Sequence, residues 1–208
     1  MKVLNFILNF GVIWAPISLA FLVLILVAAR HFFRGRKLSF ILRLESLTTK
    51  RLTIFLLGAG LLFKSFLTGL QYYIWQTSGL GQFLLPPYQS WEYFARYSFW
   101  HFWLPGLLSL IMAAALYLIF YLLKRRRAEV INTEDLNLLF LLALLAGWPK
   151  FLIFLPLFLG LTLILVVVRT VAGEKTVSLI WPLISAMLLT LLFGNYLVII
   201  LGLSALAV

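Results

Sequence analysis

Residues 124–150 read KRRRAEVINTEDLNLLFLLALLAGWPK. Four consecutive cations end one apolar run. A short polar stretch follows that carries the only aspartate of the chain, Asp135, and a second run, apolar but for Asn137, leads to Gly147-Trp148-Pro149-Lys150. Lys and Arg flanking apolar segments stay on the cytoplasmic side of a membrane, so this stretch reads as a chain that leaves the bilayer at a basic cytoplasmic edge and re-enters at once. The same punctuation occurs twice more. The gaps 30–51, 124–135 and 169–177 together hold 13 of the 17 Lys and Arg residues, and the others are Lys2, Lys64, Arg96 and Lys150. Placing all three gaps in the cytoplasm leaves only Lys2, Arg96 and Lys150 for the external segments.

Composition agrees with a membrane chain. Of the 208 residues, 64% are hydrophobic and 11% charged, and the mean hydropathy is +1.09, outside the range of a soluble domain. The net charge of +11 lies in membrane flanks rather than in a surface stripe, which argues against a nucleic-acid partner and for anionic headgroups, at about 1 kcal/mol per basic residue near the surface. There is no Cys, and two His (His31, His101) with six carboxylates offer little to a metal. No cofactor or metal is expected.

Read outward from residues 124–150, the apolar runs predict an all-α membrane protein, a single polytopic domain over 1–208. Its six spans fall at about 5–29, 52–75, 98–123, 135–147, 150–168 and 177–203, with both termini outside. The first run has one cation before it and a dense cluster after it, the reverse of a secretory signal, so it reads as an uncleaved helix. The 33 residues from Leu136 to Val168 exceed the roughly 20 that one span needs, and Gly147 and Pro149 divide them into a tight hairpin. From Tyr72 to Trp103, 13 of 32 residues are Phe, Tyr or Trp. Such rings gather at the membrane–water interface, so 76–97 reads as an external loop with a short interfacial helix near Tyr88–Tyr97. Residues 38–52 have enough amphipathic character for an interfacial helix on the cytoplasmic side.

Asn132-Thr133-Glu134-Asp135 has two readings. One is a capping box, with Asn132 at the N-cap, Asp135 three residues on, and the carboxylate favoured by the helix dipole. The other follows from the segment Asp135 to Lys150 as a whole, which resembles the type IV prepilin peptidase family, intramembrane aspartic endopeptidases that trim leader peptides. In that family a Gly-x-Gly-Asp motif opens a short helix ending in a Gly-Trp-like turn, a second helix runs to a basic loop, here Arg169 to Lys175, and a last helix opens with a Gly-Pro-like element, here Trp181-Pro182. The likeness is best over 124–200. It implies a six-span core in an inner membrane, prepilin-like substrate helices, and Asp135 as one catalytic acid.

The chain departs from the family pattern at defined positions. Asn132 and Glu134 stand where the motif has glycines. The family's first catalytic Asp precedes an Ile-Pro-Asn; here Arg51-Leu52-Thr53-Ile54 fills that slot, and the only acid of the first cytoplasmic loop is Glu45. Aspartic proteolysis needs two carboxylates sharing one proton, one activating water while the other protonates the scissile carbonyl. Glu45 is the candidate second acid. Its other reading is a solvated partner of Arg43 or Lys50. The basic face would also repel a basic leader unless anionic lipid screened it.

Lys64 lies twelve residues into the second span, about 18 Å from its start. A lysine at that depth costs roughly 2.5–3.5 kcal/mol on insertion scales, so it either snorkels outward along a tilted helix or serves as an intramembrane counter-ion or polar gate. His101 reads as a member of the aromatic belt, and Gln71 and Asn195 as interhelical hydrogen-bonding groups. Three functions therefore compete: a divergent leader peptidase, a non-catalytic scaffold of the same fold, and a small transporter or lipid-binding protein.

Overall fold

The structure is a computed structural model that describes residues 17–29, 49–126, 132–171 and 178–206. Among these, every regular element is helical. Leu, Ile, Phe and Ala dominate the sequence, and an apolar solvent forces each backbone N–H and C=O to find a partner within the protein, which only a helix or a closed barrel achieves. The elements are α1 (Ile17–Ala29), α2 (Thr49–Thr77), a 3₁₀ turn (Gly81–Leu84), α3 (Trp91–Ser98), a π turn (Phe99–Trp103), α4 (Leu104–Arg126), α5 (Thr133–Ala146), α6 (Phe151–Val171), α7 (Ile180–Ile200) and a closing 3₁₀ turn (Leu203–Leu206).

Four helices are long and apolar enough to cross a membrane: α2, the 36-residue rod Trp91–Arg126, α6 and α7. This is consistent with a multi-pass membrane protein. The other two expected spans have a different character. The first run is described only from Ile17. Helix α5 has 14 residues, a rise of about 21 Å, short of the roughly 30 Å of a hydrocarbon core. It is the hub of the bundle, with α2, α4, α6 and α7 all packed on it. Its Leu139, Leu141, Leu142 and Ala143 are fully buried, and around them stand Val23 of α1, Leu56 of α2, Ala113 of α4, Phe154 and Phe158 of α6, and Leu183 and Met187 of α7.

Three contacts set the register of α5 against α4. The Trp148 N–H donates to Ser109 Oγ at 2.7 Å. The rings of Tyr117 and Phe140 meet edge to face at 5.9 Å, and Lys124 Nζ donates to Thr133 Oγ1. The numbers fall from 148 through 140 to 133 on one strand of the pair as they rise from 109 through 117 to 124 on the other. The two segments are therefore antiparallel and in step, fastened at both ends. Ser109 is buried and also donates to the Pro105 carbonyl at 2.7 Å, so both of its capacities are used.

The aromatic segment refines the sequence reading. The short helix expected near 88–97 is α3, and it is continuous with the span expected from 98. Helix α3 passes without interruption through the π turn into α4, where the Leu104 N–H donates to the carbonyl of Phe99, five residues back. Pro105 supplies the reason. It has no N–H to give, and in a regular α-helix its ring would press on the carbonyl four residues earlier, at His101. Widening the preceding turn relieves that clash without ending the helix. The rings of this segment form a second, smaller core, in which Trp75 of α2 meets Tyr93, Phe94 and Tyr97 and Tyr72 stacks on Trp91.

The hairpin expected at 147–150 is present, with helix ends at Ala146 and Phe151. Gly147 there has φ 71° and ψ 161°, a conformation essentially restricted to glycine. Its carbonyl accepts from the Phe151 N–H at 2.7 Å, and the Trp148 indole donates to the Leu206 carbonyl at 2.8 Å. Gly147→Ala should therefore lower stability by about 1–3 kcal/mol, read as a fall in the thermal midpoint of the purified protein in detergent, whereas Gly160→Ala, where an added Cβ meets nothing within 4 Å, should leave the midpoint unchanged or raised.

Candidate functional site

The bundle has two chemically distinct ends. Helix α2 starts, α4 ends, α5 starts, α6 ends and α7 starts at the basic end, which gathers Lys50, Arg51, Lys124, Arg125, Arg126 and Arg169. Asp135 lies in the first turn of α5 at this end and is 4% exposed. A buried carboxylate needs hydrogen-bond donors to replace water. The backbone N–H of Leu179, the residue preceding α7, gives one to Asp135 Oδ2 at 3.3 Å. Asp135 thus ties the start of α5 to the start of α7, and its negative charge also suits the N-terminal ends of both helices.

The Asn132 half of the capping box read from the sequence is not formed. Asn132 holds the N-cap position with extended backbone angles (φ −78°, ψ 150°), but its side chain makes no capping hydrogen bond. Its carbonyl accepts the Leu136 N–H at 3.3 Å, and the Asp135 carboxylate reaches across to the residue ahead of α7. Glu134, about 100° further round the helix, is exposed. Glu45, Glu129 and Glu174 lie outside the described residues, and the described carboxylates are Asp135, Glu134 and Glu92. Glu92 is on α3, paired with Arg96 at 2.8 Å. The described residues contain no group of three or more His, Asp or Glu able to hold a metal ion.

The second polar site lies between α2 and the α3–α4 rod. Among the described residues Lys64 meets no carboxylate. Its Nζ donates to the backbone carbonyl of Phe102, in the π turn, at 2.6 Å. One helical turn on, Thr68 Oγ1 accepts from the Trp103 indole N–H at 3.2 Å and itself donates to the Lys64 carbonyl at 2.9 Å. Gly106 makes room for the ammonium: a Cβ there would lie 2.2 Å from Nζ. The lysine thus bonds a carbonyl of the π turn. Each group thereby offsets part of the cost of the other in an apolar medium.

The remaining polar residues have smaller roles. Gln71 is buried on the same face of α2 as Lys64 and Thr68. Asn195 is exposed. His101 stacks on Tyr97 at 4.0 Å between centroids, with Nδ1 3.0 Å from the Tyr97 carbonyl. At the hairpin, Lys150 lays its aliphatic stem near Gly194, where a Cβ would lie 3.5 Å from Lys150 Cδ. Sequence reading missed Ser109, Gly106 and the Leu179 N–H. Only Ser109 left a signal, as a lone hydroxyl four residues after a proline in an apolar run.

With this geometry established, comparison adds no relative: the chain matches no protein-family model, no curated protein and no solved structure. The class rests on the fold itself, all-helical with four helices able to cross a membrane. The tie at Asp135 makes a specific prediction. Asp135→Ala removes the acceptor of a buried N–H and should cost about 1–3 kcal/mol. Asp135→Asn keeps a carbonyl acceptor and should cost less. Thermal midpoints of the two variants in the same detergent, in the order wild type, Asn, Ala, check this.

Proposed function

We propose that this chain is a prepilin-peptidase-like membrane protein acting as a scaffold. In this reading six spans cross a cell membrane with both termini outside, and the basic end holds a membrane-inserted, leader-type helix at the cytoplasmic edge with anionic headgroups screening the repulsion between basic leader and basic face. The observation that supports it is the use of Asp135. The one aspartate, at the position the family resemblance marks, is buried and engaged with the Leu179 N–H. The only other described acid at its end is Glu134, exposed and turned away. A buried carboxylate that joins the start of one helix to the start of another does structural work there.

Peptidase chemistry is the second reading, favoured by the burial of a lone aspartate at the basic edge. It requires Glu45 to reach Asp135, one acid ionised to activate water and the other protonated to supply the carbonyl oxygen with a proton. The two readings part in one experiment. Wild type, Asp135→Asn and Glu45→Gln are reconstituted in vesicles containing phosphatidylglycerol, with a basic-leader helix as substrate. The scaffold reading expects the helix to be retained by all three and cut by none. Cleavage by wild type that is lost in both variants, with a bell-shaped pH profile, would replace it by the peptidase reading.

The orientation is tested separately. The chain has no cysteine, so single cysteines report sidedness cleanly. Arg126→Cys should be labelled only by a reagent supplied to the cytoplasmic face, and Gly79→Cys only from outside. The reverse pattern would invert the topology.

A further inference from the structure

The bundle carries two rulers for the depth of the α5–α6 hairpin. On α4, fifteen residues separate Ser109, which takes the Trp148 N–H, from Lys124, which bonds Thr133 at the basic edge. Fifteen residues also separate Leu179, which donates to Asp135, from Gly194 of α7, beside the Lys150 stem. Each ruler reads about 22 Å, roughly 8 Å less than the hydrocarbon core of a bilayer. The rod itself reaches further. Its aromatic residues begin at Trp103, 21 residues from Lys124. That is a rise of about 31 Å, the full thickness of such a core.

The hairpin nevertheless has a polar girdle at its own, lower level. Trp148 and Lys150 stand there, and Asn195 and Tyr196, next to Gly194 on α7, are exposed. Beyond α7 the chain turns at Gly202 (φ 67°) and comes back, so that the Leu206 carbonyl takes the Trp148 indole N–H at 2.8 Å. Leu201, Gly202, Ala205 and Leu206 are exposed. A single exposed turn leaves backbone groups that lipid tails cannot serve. Trp and Tyr gather where headgroups begin, and here they gather at the depth of the hairpin.

The two lysines far from the basic edge are served differently. Lys64 finds the Phe102 carbonyl inside the protein. The described carboxylates offer Lys150 nothing, because Asp135 and Glu134 lie at the basic end and Glu92 pairs with Arg96. A cation at membrane depth requires a counter-charge or a polar medium.

We propose that the leaflet opposite the basic end dips on the α6–α7 side of the hairpin, and that Lys150 holds a phospholipid phosphate there. The short α5 sets the depth of the dip, since a bilayer thins around a span shorter than itself. The ammonium fixes a headgroup beside Trp148, Asn195 and Tyr196. This contact uses neither Asp135 nor Glu45, so it is independent of the scaffold and peptidase readings.

Single nitroxide labels test it, because the chain has no cysteine. Leu152→Cys is half-buried on α6 just inside the hairpin, and Ile111→Cys is exposed on α4. By the same rulers both lie about 19 Å from the basic edge. The full chain is placed in dioleoylphosphatidylcholine discs, and label depth is read from accessibility to oxygen and to a water-soluble nickel chelate. The label at 152 should read about 4–8 Å shallower than the label at 111. Lys150→Met should remove the difference and Lys150→Arg should keep it. Discs of digalactosyldiacylglycerol, a lipid without phosphate, should also remove it. Equal depths in phosphatidylcholine overturn the proposal, as does a difference that persists in Lys150→Met. A difference that persists in the phosphate-free discs overturns it too, and makes water the partner of the lysine. The comparison of lipids needs no change at Lys150, so it decides the matter even where Lys150→Met fails to insert.

Discussion

Helix α5 is too short to bring both of its ends to water, and the rest of the bundle is arranged around that constraint. Its ends carry backbone groups without intrahelical partners, and an apolar surround makes each unpaired group expensive. At the hairpin end the Trp148 N–H is taken by Ser109 and the Gly147 carbonyl by the Phe151 N–H. At the basic end Thr133 receives Lys124, and Asp135 receives the first free N–H ahead of α7. These contacts come from α4, α6 and α7, so satisfying one short helix also fixes how its neighbours stand. The apolar packing around Leu139, Leu142 and Phe154 then fills a frame whose register is already set.

The same logic explains why the two ends differ in chemistry. At the basic end the connections between helices are rich in Lys and Arg, and the buried Asp135 carboxylate joins two helix starts where the backbone dipoles favour negative charge. At the other end hardly any charge is available, and Trp75, Tyr97 and their neighbours close the structure by ring packing. Aromatic side chains suit that position because each has an apolar body and can have a polar edge.

Between the ends, Lys64 and the π turn are two irregularities that account for each other. Pro105 cannot complete a regular turn, the widened turn presents the Phe102 carbonyl, and Lys64 needs an acceptor at that depth. Gly106 is the residue that lets them meet. Removing any one of the four would leave the others with an unfavourable group in an apolar setting.

What the sequence by itself determined is the part governed by local chemistry. Apolar runs of about twenty residues must be helices in a bilayer, the basic gaps mark where they stop, and Gly147 marks the hairpin because few other residues accept its backbone angles. The joining of α3 to α4 is less legible, because a run of aromatic residues looks like a loop at the interface, although Pro105 points to a distorted turn. The tertiary structure alone decided the partners. Asp135 and Leu179 are 44 residues apart and Lys64 and Phe102 are 38 apart. In both cases one partner is a backbone group, which every residue carries and no side-chain pattern announces. The step between α4 and α5 likewise depends on which hydroxyl meets which N–H in three dimensions, a choice that hydropathy, being a property of single segments, does not encode.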